Sequence, residues 1–397
     1  MTHPGRVVVV GASAAGLRVA QELRRNDFRG GLVLVGSEVH LPYDRPPLSK
    51  QVLTGAWDAD RVALTSPQQL AGLDIDVRLD RPAAALDAGS RRVKFHDGSD
   101  VPADAVVIAT GCAARRLPAG SGLAGVHSLR TVEDSQRLRA ELIQGRRLVV
   151  VGAGFLGMEI AAVARGAGLD VTVVSSGGPL EHAVGLAVSG ALADLHRERG
   201  VRLLLGLSVD RLVDACGRVQ GVLLSDGTEV SADLVVVAIG AVPATDWLAG
   251  SGLTIDDGVV CDSTLRAADG VYAVGDVARW LEPRSGRLMR IEHRMHAAES
   301  AAMAALNVLG ASDPFSPLPF WWSDQYEARI QAYGWPSATA HLWQGDLAER
   351  KAVILFSEAG VLTGAVGWNA VRQLRAAREL LIEGAALSDA GPTVPLQ

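Results

Sequence analysis

Two glycine-rich turns in this 397-residue chain have the residue types and spacing that bind the diphosphate of a dinucleotide. The first turn, GASAAG, follows the apolar run RVVVV and opens a segment with helical spacing, after which GLVLVG predicts a second strand. In this β-turn-α-β order, the free N–H groups and positive dipole of the helix N-terminus favour a diphosphate. Gly11 would form the tight turn, and Gly16 would allow the helix to pack closely on the strand.

Ser13 and Glu38 complete the first predicted nucleotide site. Ser13 takes the place of the middle glycine of the fingerprint and is small enough for a phosphate to approach. Glu38 follows the turn by about 20 residues, where an acid is expected to bond the ribose hydroxyls. The alternative interpretation is a plain βαβ unit with a surface glutamate.

The same pattern recurs between residues 146 and 174, where Gly152, Gly154 and Gly157 form a complete fingerprint and residues 170–174 predict the following strand. Two such units imply two bound dinucleotides, or one held permanently and one exchanged. Ser175 stands after the second strand, where a carboxylate would pair with the 2′-hydroxyl of NAD and repel the 2′-phosphate of NADP. No arginine replaces that acid, so these residues leave the coenzyme choice open.

The segment LPYDRPPLSK, residues 41–50, is stiffened by three prolines directly after the first unit. Lysine occurs only at positions 50, 94 and 351 among 38 Lys and Arg residues, so arginine is the usual cation of this chain. Arginine and lysine differ in shape and hydration. Lys50 is therefore interpreted either as a residue kept for its compact charge or as a residual surface lysine.

Three further strand ends are candidates for a nucleotide site. The segments ADAVVIATG and ADLVVVAIG predict strands that return from an inserted sheet and end at Ala109-Thr110-Gly111 and at Gly240. The segment GVYAVGDVAR predicts a strand that ends at Gly275-Asp276. Asp276 could bond a ribityl hydroxyl beside the diphosphate, or it could be the N-cap of a helix.

Composition excludes several classes of function. Hydrophobic residues make up 48% and charged residues 21% of the chain, as in soluble globular proteins. The length of 397 residues predicts two or three domains. The net charge of −6 argues against nucleic-acid binding. The three cysteines, Cys112, Cys216 and Cys261, have neither metal-binding nor disulfide spacing. With no signal region or membrane-length apolar run, we expect a cytoplasmic protein that has no metal site and does not bind membranes.

The motifs GASAAG, PYDRPPLSK, VIATG, VVVGAGFLGMEIAA, VYAVGDVA, RIEH and FWWSDQY together resemble those of the FAD-dependent, pyridine-nucleotide-linked ferredoxin reductases. The resemblance to this family, typified by putidaredoxin reductase, covers nearly the whole chain. It implies an α/β fold of glutathione-reductase-like architecture, with two Rossmann-like dinucleotide-binding domains and a C-terminal α+β domain. The expected ranges are 1–112 and 237–312 for FAD binding, 113–236 for NAD(P) binding, and 313–397 for the C-terminal domain.

The resemblance also implies roles for the proline-rich segment. Pro46 and Pro47 would form a rigid wall under the flavin ring, and Arg45 would reach the flavin or the diphosphate. Lys50 would place its charge near flavin N5, with Glu159 as its acid partner. The alternative for Glu159 is an exposed helical glutamate.

Further site residues are implied in the second fingerprint and in the last third of the chain. Phe155 either covers the flavin face until nicotinamide arrives or belongs to the core at the start of its helix. Glu292, His293 and Trp322 are implied cofactor-binding residues. The family often has tryptophan after Glu-His, where this chain has Arg294, and partner docking is therefore expected to differ.

The function implied is transfer of a hydride from NAD(P)H to tightly but noncovalently bound FAD, with NADH preferred and NADPH as the alternative. Single electrons would then pass to a small acidic iron–sulfur ferredoxin that serves a P450 or a ring-hydroxylating dioxygenase. No cysteine precedes Cys112, so residues 38–60 lack the thiols of disulfide reductases and peroxidases. The alternatives are a redox-sensing interaction module similar to apoptosis-inducing factor and an NADH oxidase.

An acidic ferredoxin would need a positive docking surface. Two arginine groups are candidates for it. One lies near RIEH and consists of Arg284, Arg287, Arg290 and Arg294. The other consists of Arg372, Arg375 and Arg378 in AVRQLRAARELLIEG, the segment that the resemblance implies is the helix of the C-terminal domain. The alternative is that both groups are solvated faces.

Overall fold

The computed structural model describes residues 4–117 and 122–396. The α-helices of these residues are α1 Ala14–Arg25, α2 Gln51–Thr54, α3 Pro67–Gly72, α4 Val132–Glu141, α5 Phe155–Gly166, α6 Glu181–Glu198, α7 Arg294–Val308 and α8 Val371–Glu383. The strands are β1 Arg6–Val10, β2 Gly31–Val35, β3 Asp76–Arg78, β4 Ala83–Asp87, β5 Arg92–Phe95, β6 Asp100–Pro102, β7 Ala105–Ile108, β8 Cys112–Ala114, β9 Val126–His127, β10 Arg147–Val151, β11 Asp170–Ser175, β12 Arg202–Leu205, β13 Val209–Ala215, β14 Arg218–Leu224, β15 Glu229–Ser231, β16 Leu234–Val237, β17 Ala241–Pro243, β18 Val259–Cys261, β19 Arg266–Ala268, β20 Val271–Ala273, β21 Ala278–Glu282, β22 Arg287–Met289, β23 Phe320–Gln325, β24 Ala328–Gly334, β25 Thr339–Asp346, β26 Lys351–Glu358, β27 Val361–Trp368 and β28 Val394–Leu396.

The chain divides into two compact units, each built from three separate stretches of sequence. Unit 1 contains the residues up to Asp44, then Ala59–Ala113 and Ala241–Pro317. Unit 2 contains Arg45–Asp58, Ala114–Gly240 and the residues from Leu318 onward. Within the described ranges, no helix has both the length and the apolar character needed to cross a membrane.

Unit 1 is organised around a six-stranded sheet with the strand order β19-β20-β7-β1-β2-β3. Its central strand β1 pairs in parallel with β2 on one side and β7 on the other. The four valines Val7–Val10 are buried, which explains why the run RVVVV is apolar without alternation. Helices α1 and α7 pack against each other. The unit also contains two three-stranded sheets, β4-β5-β6 and β18-β21-β22, and strand β17, which pairs with β8.

Unit 2 contains a second parallel sheet, with the strand order β12-β11-β10-β16-β9. Strand β10 pairs in parallel with β11 and with β16, as β1 pairs with β2 and β7 in unit 1. In both sheets the strand that precedes the glycine-rich turn is therefore the point where the strand order reverses. Ligands of open α/β sheets bind at the carboxyl ends of the strands at such a point.

The C-terminal part of unit 2 is an antiparallel sheet with the order β23-β24-β27-β26-β25-β28. Helix α8 packs on strands β24 and β27, and it buries Leu374, Ala377 and Leu381 at helical spacing. The segments RIQAYG, AVILFS and VLTGAVGW lie in β24, β26 and β27, and α8 follows them. This agrees with the C-terminal α+β domain that the resemblance implies.

Candidate functional site

The first glycine-rich turn leaves no room for a side chain at Gly11 or at Gly16. A Cβ atom on Gly11 would lie 2.1 Å from the Ala109 carbonyl oxygen, and one on Gly16 would lie 1.9 Å from the Gly11 carbonyl oxygen. Ser13 is the N-cap residue of α1, but its side chain makes no capping hydrogen bond, and no acid occupies the first helical turn. The N-terminus of α1 therefore fits a diphosphate in both shape and charge.

The second turn repeats this geometry in unit 2. A Cβ atom on Gly152 would lie 2.4 Å from the Ala238 carbonyl oxygen, and one on Gly157 would lie 2.0 Å from the Gly152 carbonyl oxygen. Gly154 is the N-cap of α5 and faces open space, with no atom within 4 Å of a Cβ placed there. The two tight glycines hold the helix on the strand, and the open one leaves the helix N-terminus accessible.

Glu38 lies beyond the end of β2, the strand next to β1. Its carboxylate accepts a 2.5 Å hydrogen bond from the hydroxyl of the buried residue Tyr43, which fixes its orientation. Tyr43 belongs to the proline-rich segment, so this hydrogen bond links the start of that segment to the acid. Ser175 ends β11, and its hydroxyl accepts a hydrogen bond from the Gly177 N–H.

The predicted strand ends adopt turns that suit close backbone approach. Gly111, Gly240 and Gly275 all have positive φ angles, of 65°, 93° and 68°. Thr110 follows Ala109 at the end of β7 and donates its hydroxyl proton to the Ala244 carbonyl over 2.9 Å. The Gly275 N–H donates to the Ser300 hydroxyl on α7.

Asp276 lies inside the one-turn 3-10 helix Gly275–Val277, whose N-cap is Val274. The interpretation of Asp276 as an N-cap is therefore wrong. Its backbone carbonyl accepts hydrogen bonds from the Cys112 thiol and from Arg290. The ribityl contact of its side chain remains a prediction.

Lys50 and Glu159 meet in unit 2, although 109 positions separate them. The Lys50 ammonium lies 2.5 Å from Glu159 Oε2, and their side chains are only 14% and 6% exposed. The interpretations of Lys50 as a surface lysine and Glu159 as an exposed glutamate are therefore wrong. Ser49 also donates to Glu159 Oε2 over 2.5 Å. A compact cation is thus held at the second turn of α5, the helix that opens at the second glycine-rich turn.

The segment that carries Lys50 is fixed from several sides. Pro46 and Pro47 begin a 3-10 helix that ends at Ser49. The Leu48 carbonyl accepts a 2.7 Å hydrogen bond from Ser135 on α4, and Arg45 donates to the Arg130 carbonyl. The predicted rigidity of this stretch therefore comes from proline φ restriction together with hydrogen bonds to α4 and the chain before it.

Phe155 and Trp322 both lie in unit 2 as half-buried residues. Phe155 is the first residue of α5, directly after the open Gly154. Trp322 lies on β23 and stacks on Phe320 with ring centroids 6.0 Å apart. Neither residue is part of a fully closed core, and the roles predicted for them stay predictions.

The residues around RIEH are paired more completely than the sequence indicates. Arg290 binds Asp257 and Glu292, with nitrogen–oxygen distances of 3.1 and 2.5 Å. Burial opposes the charge of Arg290, but these two carboxylates outweigh it and raise its pKa. Arg294, next to the helix N-cap His293, binds Asp44 at 2.5 Å.

Several polar residues near these sites were missed by the sequence analysis. Ser49, Ser323, Gln325 and His196 are all buried, and each belongs to a hydrogen-bonded chain that reaches Glu159. The signal that could have found two of them is the presence of polar residues at alternate, buried positions of the FWWSDQ strand.

One acid in the second nucleotide site was also missed. Glu181 lies in the first turn of α6, and its carboxylate accepts a 2.7 Å hydrogen bond from the Gly178 N–H. The carboxylate therefore lies against the loop Ser175–Gly178 that follows β11. The dinucleotide fingerprint predicts an acid only directly after the strand, so it gives no signal for Glu181.

Comparison with known proteins gives matches over almost the whole chain. Residues 5–304 match the family described as pyridine nucleotide-disulphide oxidoreductase, and residues 320–393 match the family described as reductase C-terminal. Rhodocoxin reductase of Rhodococcus erythropolis is 36% identical over 94% of this chain and 89% of its own length. The anthranilate 1,2-dioxygenase system ferredoxin–NAD(+) reductase component of Burkholderia cepacia is 36% identical over 98% of both chains.

A solved structure gives the same result. Putidaredoxin reductase, crystallised as a covalent complex with putidaredoxin, superposes with a TM-score of 0.92 at 31% identity over 98% of this chain and 96% of its own. The chain belongs to the ferredoxin reductases of the pyridine nucleotide-disulphide oxidoreductase family.

This membership confirms the predicted family, the fold class and the enzyme class of this reductase. Two Rossmann-type nucleotide-binding sheets and a C-terminal α+β sheet are present in the order that the motifs predict. The family uses FAD and a pyridine nucleotide, and the two glycine-rich turns of the reductase fit two dinucleotides.

Proposed function

We propose that the protein transfers a hydride from NADH to a tightly and noncovalently bound FAD and then passes single electrons to a small acidic iron–sulfur ferredoxin. The ferredoxin would serve a cytochrome P450 or a ring-hydroxylating dioxygenase. FAD supplies the link between these steps, because a flavin accepts a hydride and releases electrons one at a time.

The observation that carries this proposal is the buried Lys50–Glu159 pair beside the second glycine-rich turn. Lysine is a compact point charge, and Glu159 fixes its position. A cation held in a partly buried site stabilises negative charge that develops close to it. Lys50 is therefore suited to stabilise a reduced, electron-rich ring without supplying a proton or a nucleophile.

The binding residues divide between the two turns. Gly11, Ser13 and Gly16 would hold the FAD diphosphate, with Glu38 on the ribose and Asp276 on the ribityl chain. The remaining proposed FAD contacts are Arg45, Pro47, Ala109, Thr110, Gly111, Gly275, Glu292, His293 and Trp322. Gly152, Gly154, Gly157, Ser175 and Gly240 would hold the nicotinamide coenzyme, with Phe155 covering the flavin until the coenzyme arrives.

The domain ranges follow from this division. We assign residues 1–112 and 237–312 to FAD binding, 113–236 to NAD(P) binding, and 313–397 to the C-terminal domain. The later junctions between units 1 and 2, at Ala113–Ala114, Gly240–Ala241 and Pro317–Leu318, lie close to these boundaries and support them. Within the first FAD-binding range, Arg45–Asp58 belongs to unit 2.

The acceptor class comes from the relatives. One is a ferredoxin–NAD(+) reductase component of a dioxygenase system, and the superposed putidaredoxin reductase forms a complex with putidaredoxin. Steady-state reduction of cytochrome c by NADH tests the acceptor. Added ferredoxin should raise the rate strongly, because the ferredoxin carries the electrons onward. Slow turnover that ferredoxin does not raise would instead indicate a redox-sensing module, and rapid peroxide formation would indicate an NADH oxidase.

The purified protein is expected to be yellow and to release intact FAD on acid or heat denaturation. No His or Cys lies in an attachment motif, so the flavin is held by the Gly11–Gly16 turn and not by a covalent bond. Absorbance of the supernatant after denaturation measures the FAD content. Colourless protein that does not take up added FAD would contradict the proposed function.

The coenzyme is expected to be NADH, because the Glu181 carboxylate lies against the loop after β11 and would repel a 2′-phosphate. Glu181→Gln should reduce the ratio of kcat/KM for NADH over NADPH, and Ser175→Glu should increase it by adding a second carboxylate. A higher kcat/KM with NADPH in the unmodified protein would contradict this prediction and make Ser175, Ser176 and His182 candidate phosphate contacts.

Ferredoxin docking is expected to depend on Arg284 and Arg287 more than on Arg290 and Arg294. The first two are exposed, and neither forms an ion pair within the described part of the chain, whereas the other two are neutralised by nearby carboxylates. Reversing Arg284 and Arg287 to Glu should raise KM for ferredoxin about fivefold to tenfold, with a smaller effect at high salt, and leave KM for NADH unchanged.

The matched control for this docking prediction is reversal of Arg372 and Arg375, two exposed arginines on α8. That variant should reduce ferredoxin as the unmodified protein does. If the α8 variant is impaired and the Arg284/Arg287 variant is not, the docking surface lies on α8.

A further inference from the structure

A chain of buried polar side chains runs through unit 2 to the Lys50–Glu159 pair. Ser323 Oγ lies 2.8 Å from Glu159 Oε1, and Gln325 Nε2 lies 2.9 Å from Ser323 Oγ. His196 Nε2 lies 2.7 Å from Gln325 Oε1. Ser323, Gln325 and His196 have relative exposures of only 0%, 1% and 0%. The chain therefore connects α6, β23 and α5 away from solvent.

Strand geometry explains why two of these residues point the same way. Successive side chains alternate across a strand, so Trp321, Ser323 and Gln325 share the buried face of β23. Aromatic or aliphatic side chains would fill these positions at lower cost, since a buried polar group destabilises the fold unless it is hydrogen-bonded. Ser323 and Gln325, which are neighbours on the buried face of the strand, therefore require hydrogen-bond partners. Glu159 is the partner of Ser323, and His196 is the partner of Gln325.

The hydrogen bonds of this chain can run in only one direction. An ionised carboxylate accepts and does not donate, so the Ser323 hydroxyl must donate its proton to Glu159. Ser323 then accepts from the amide nitrogen of Gln325, which places the amide oxygen toward His196. His196 must therefore carry its proton on Nε2. Each donor in the chain points toward the Glu159 carboxylate.

The surroundings of His196 keep its ring neutral. Burial lowers the pKa of His196 to about 4, with the hydrogen bond to the Gln325 amide oxygen acting in the opposite direction. The ring packs edge-to-face on Tyr326 with centroids 5.1 Å apart, and Nδ1 has no hydrogen-bond partner among the described residues. The ring thus uses one nitrogen, as a donor, and presents one fixed tautomer to Gln325.

We propose that Ser323, Gln325 and His196 are positioning residues that hold the Glu159 carboxylate, and through it the Lys50 ammonium, in one orientation. Ser49 and Lys50 fix one carboxylate oxygen, and the Ser323 chain fixes the other. With both oxygens bonded, the carboxylate cannot rotate away from Lys50. The importance of that orientation for hydride transfer rests on the proposed function, but the positioning itself does not.

The three lysines of the chain allow a direct test, with or without FAD. Protein labelled with 13C at lysine Cε should give three NMR signals, from Lys50 and from the exposed residues Lys94 and Lys351. Lys50→Arg identifies the Lys50 signal. Ser323→Ala and Gln325→Met should both shift the Lys50 signal and leave the other two in place. A Lys50 signal that neither substitution moves would overturn the proposal.

Two further variants separate positioning from general damage to the sheet. Ser357→Ala makes the same change at a buried serine of β26, in the same sheet, and should leave the Lys50 signal unchanged. Ser323→Thr keeps the hydroxyl and should restore the signal toward its original position. If Ser357→Ala shifts the Lys50 signal as much as Ser323→Ala does, the shift is not transmitted through the hydrogen bonds of Ser323, Gln325 and His196, and the proposal is wrong.

The tautomer of His196 gives an independent test. Nitrogen-15 spectra of labelled histidine should show a neutral His196 ring protonated at Nε2, unchanged between pH 8 and pH 5.5, because its pKa is about 4. A ring protonated at Nδ1, or one that titrates near pH 6.5, would contradict the direction of the chain.

Kinetics then connect the positioning to the reaction. Ser323→Ala should slow anaerobic flavin reduction by NADH about fivefold, the effect of losing one hydrogen bond of ordinary net strength, while Ser357→Ala should not. If NADH fails to reduce the flavin of the unmodified protein but the Lys50 signal still shifts, the proposed function fails and the positioning stands. If NADH reduces the flavin normally but the Lys50 signal never shifts, only the positioning proposal fails.

Discussion

Replacing Lys50 with methionine is expected to slow flavin reduction by NADH about 5- to 150-fold while FAD remains bound. Methionine keeps most of the side-chain volume but removes the charge that would stabilise the reduced ring. The loss corresponds to about 1–3 kcal/mol, typical of a charge-assisted contact in a partly buried site. Rapid mixing under anaerobic conditions measures the rate, and the flavin reduction potential should fall in the same variant.

Two controls make this result specific. Lys351→Met removes an exposed lysine from the same unit and should leave the rate unchanged. Lys50→Met leaves the Glu159 carboxylate buried without its cation, which is itself destabilising. The double variant Lys50→Met/Glu159→Gln removes that carboxylate charge as well, so it isolates the effect of losing the Lys50 charge. Unchanged rapid-reaction kinetics in Lys50→Met would show that Lys50 has only a structural role.

Placing alanine at Gly157 is expected to unfold or strongly destabilise the second nucleotide site, whereas alanine at Gly154 should not. The new methyl group at position 157 would lie 2.0 Å from the Gly152 carbonyl oxygen, but the one at position 154 would face open space. Moving the helix away from its strand should cost about 3 kcal/mol or more of the free energy of unfolding. Thermal unfolding and KM for NADH distinguish the two variants.

Gly154→Ala serves as the matched partner of this experiment. It should keep the melting temperature of the unmodified protein but raise KM for NADH about tenfold, because the methyl group occupies the space above the helix N-terminus where a diphosphate would bind. If Gly154→Ala binds NADH normally, the diphosphate does not approach the helix at this position.

Local patterns in the sequence predict the sheets and the glycine-rich turns well. Runs such as RVVVV and AVVI lie in buried parallel strands, and their apolar character follows from burial on both faces. The tight turns at Gly11 and Gly152 are likewise predictable from their motifs, because each glycine adopts a positive φ angle, of 122° and 104°, that other residues avoid. The atoms that crowd these glycines are the exception, because Ala109 and Ala238 are distant in sequence.

Side-chain contacts between residues that are distant in sequence could not be predicted from the sequence. Arg294 binds Asp44 from 250 positions away, and Ser323 reaches Glu159 across 164 positions. Neither contact leaves a periodic or spacing signal, since both depend on how separate elements pack. For this reason Arg290 and Arg294 were candidates for a positive docking surface in the sequence, although both are paired with carboxylates. The hydrogen bonds among the buried side chains that end at His196 gave no sequence signal for the same reason.

The central claim is that the two electrons of a hydride from NADH leave this protein one at a time, each on a separate ferredoxin. An anaerobic titration measures this most directly, with catalytic amounts of the FAD-loaded protein, a known amount of NADH and an excess of oxidised [2Fe–2S] ferredoxin. Each NADH carries two electrons, so the account predicts that two ferredoxins are bleached for each NADH oxidised. Flavin that is reduced by NADH without any bleaching of the ferredoxin would contradict it.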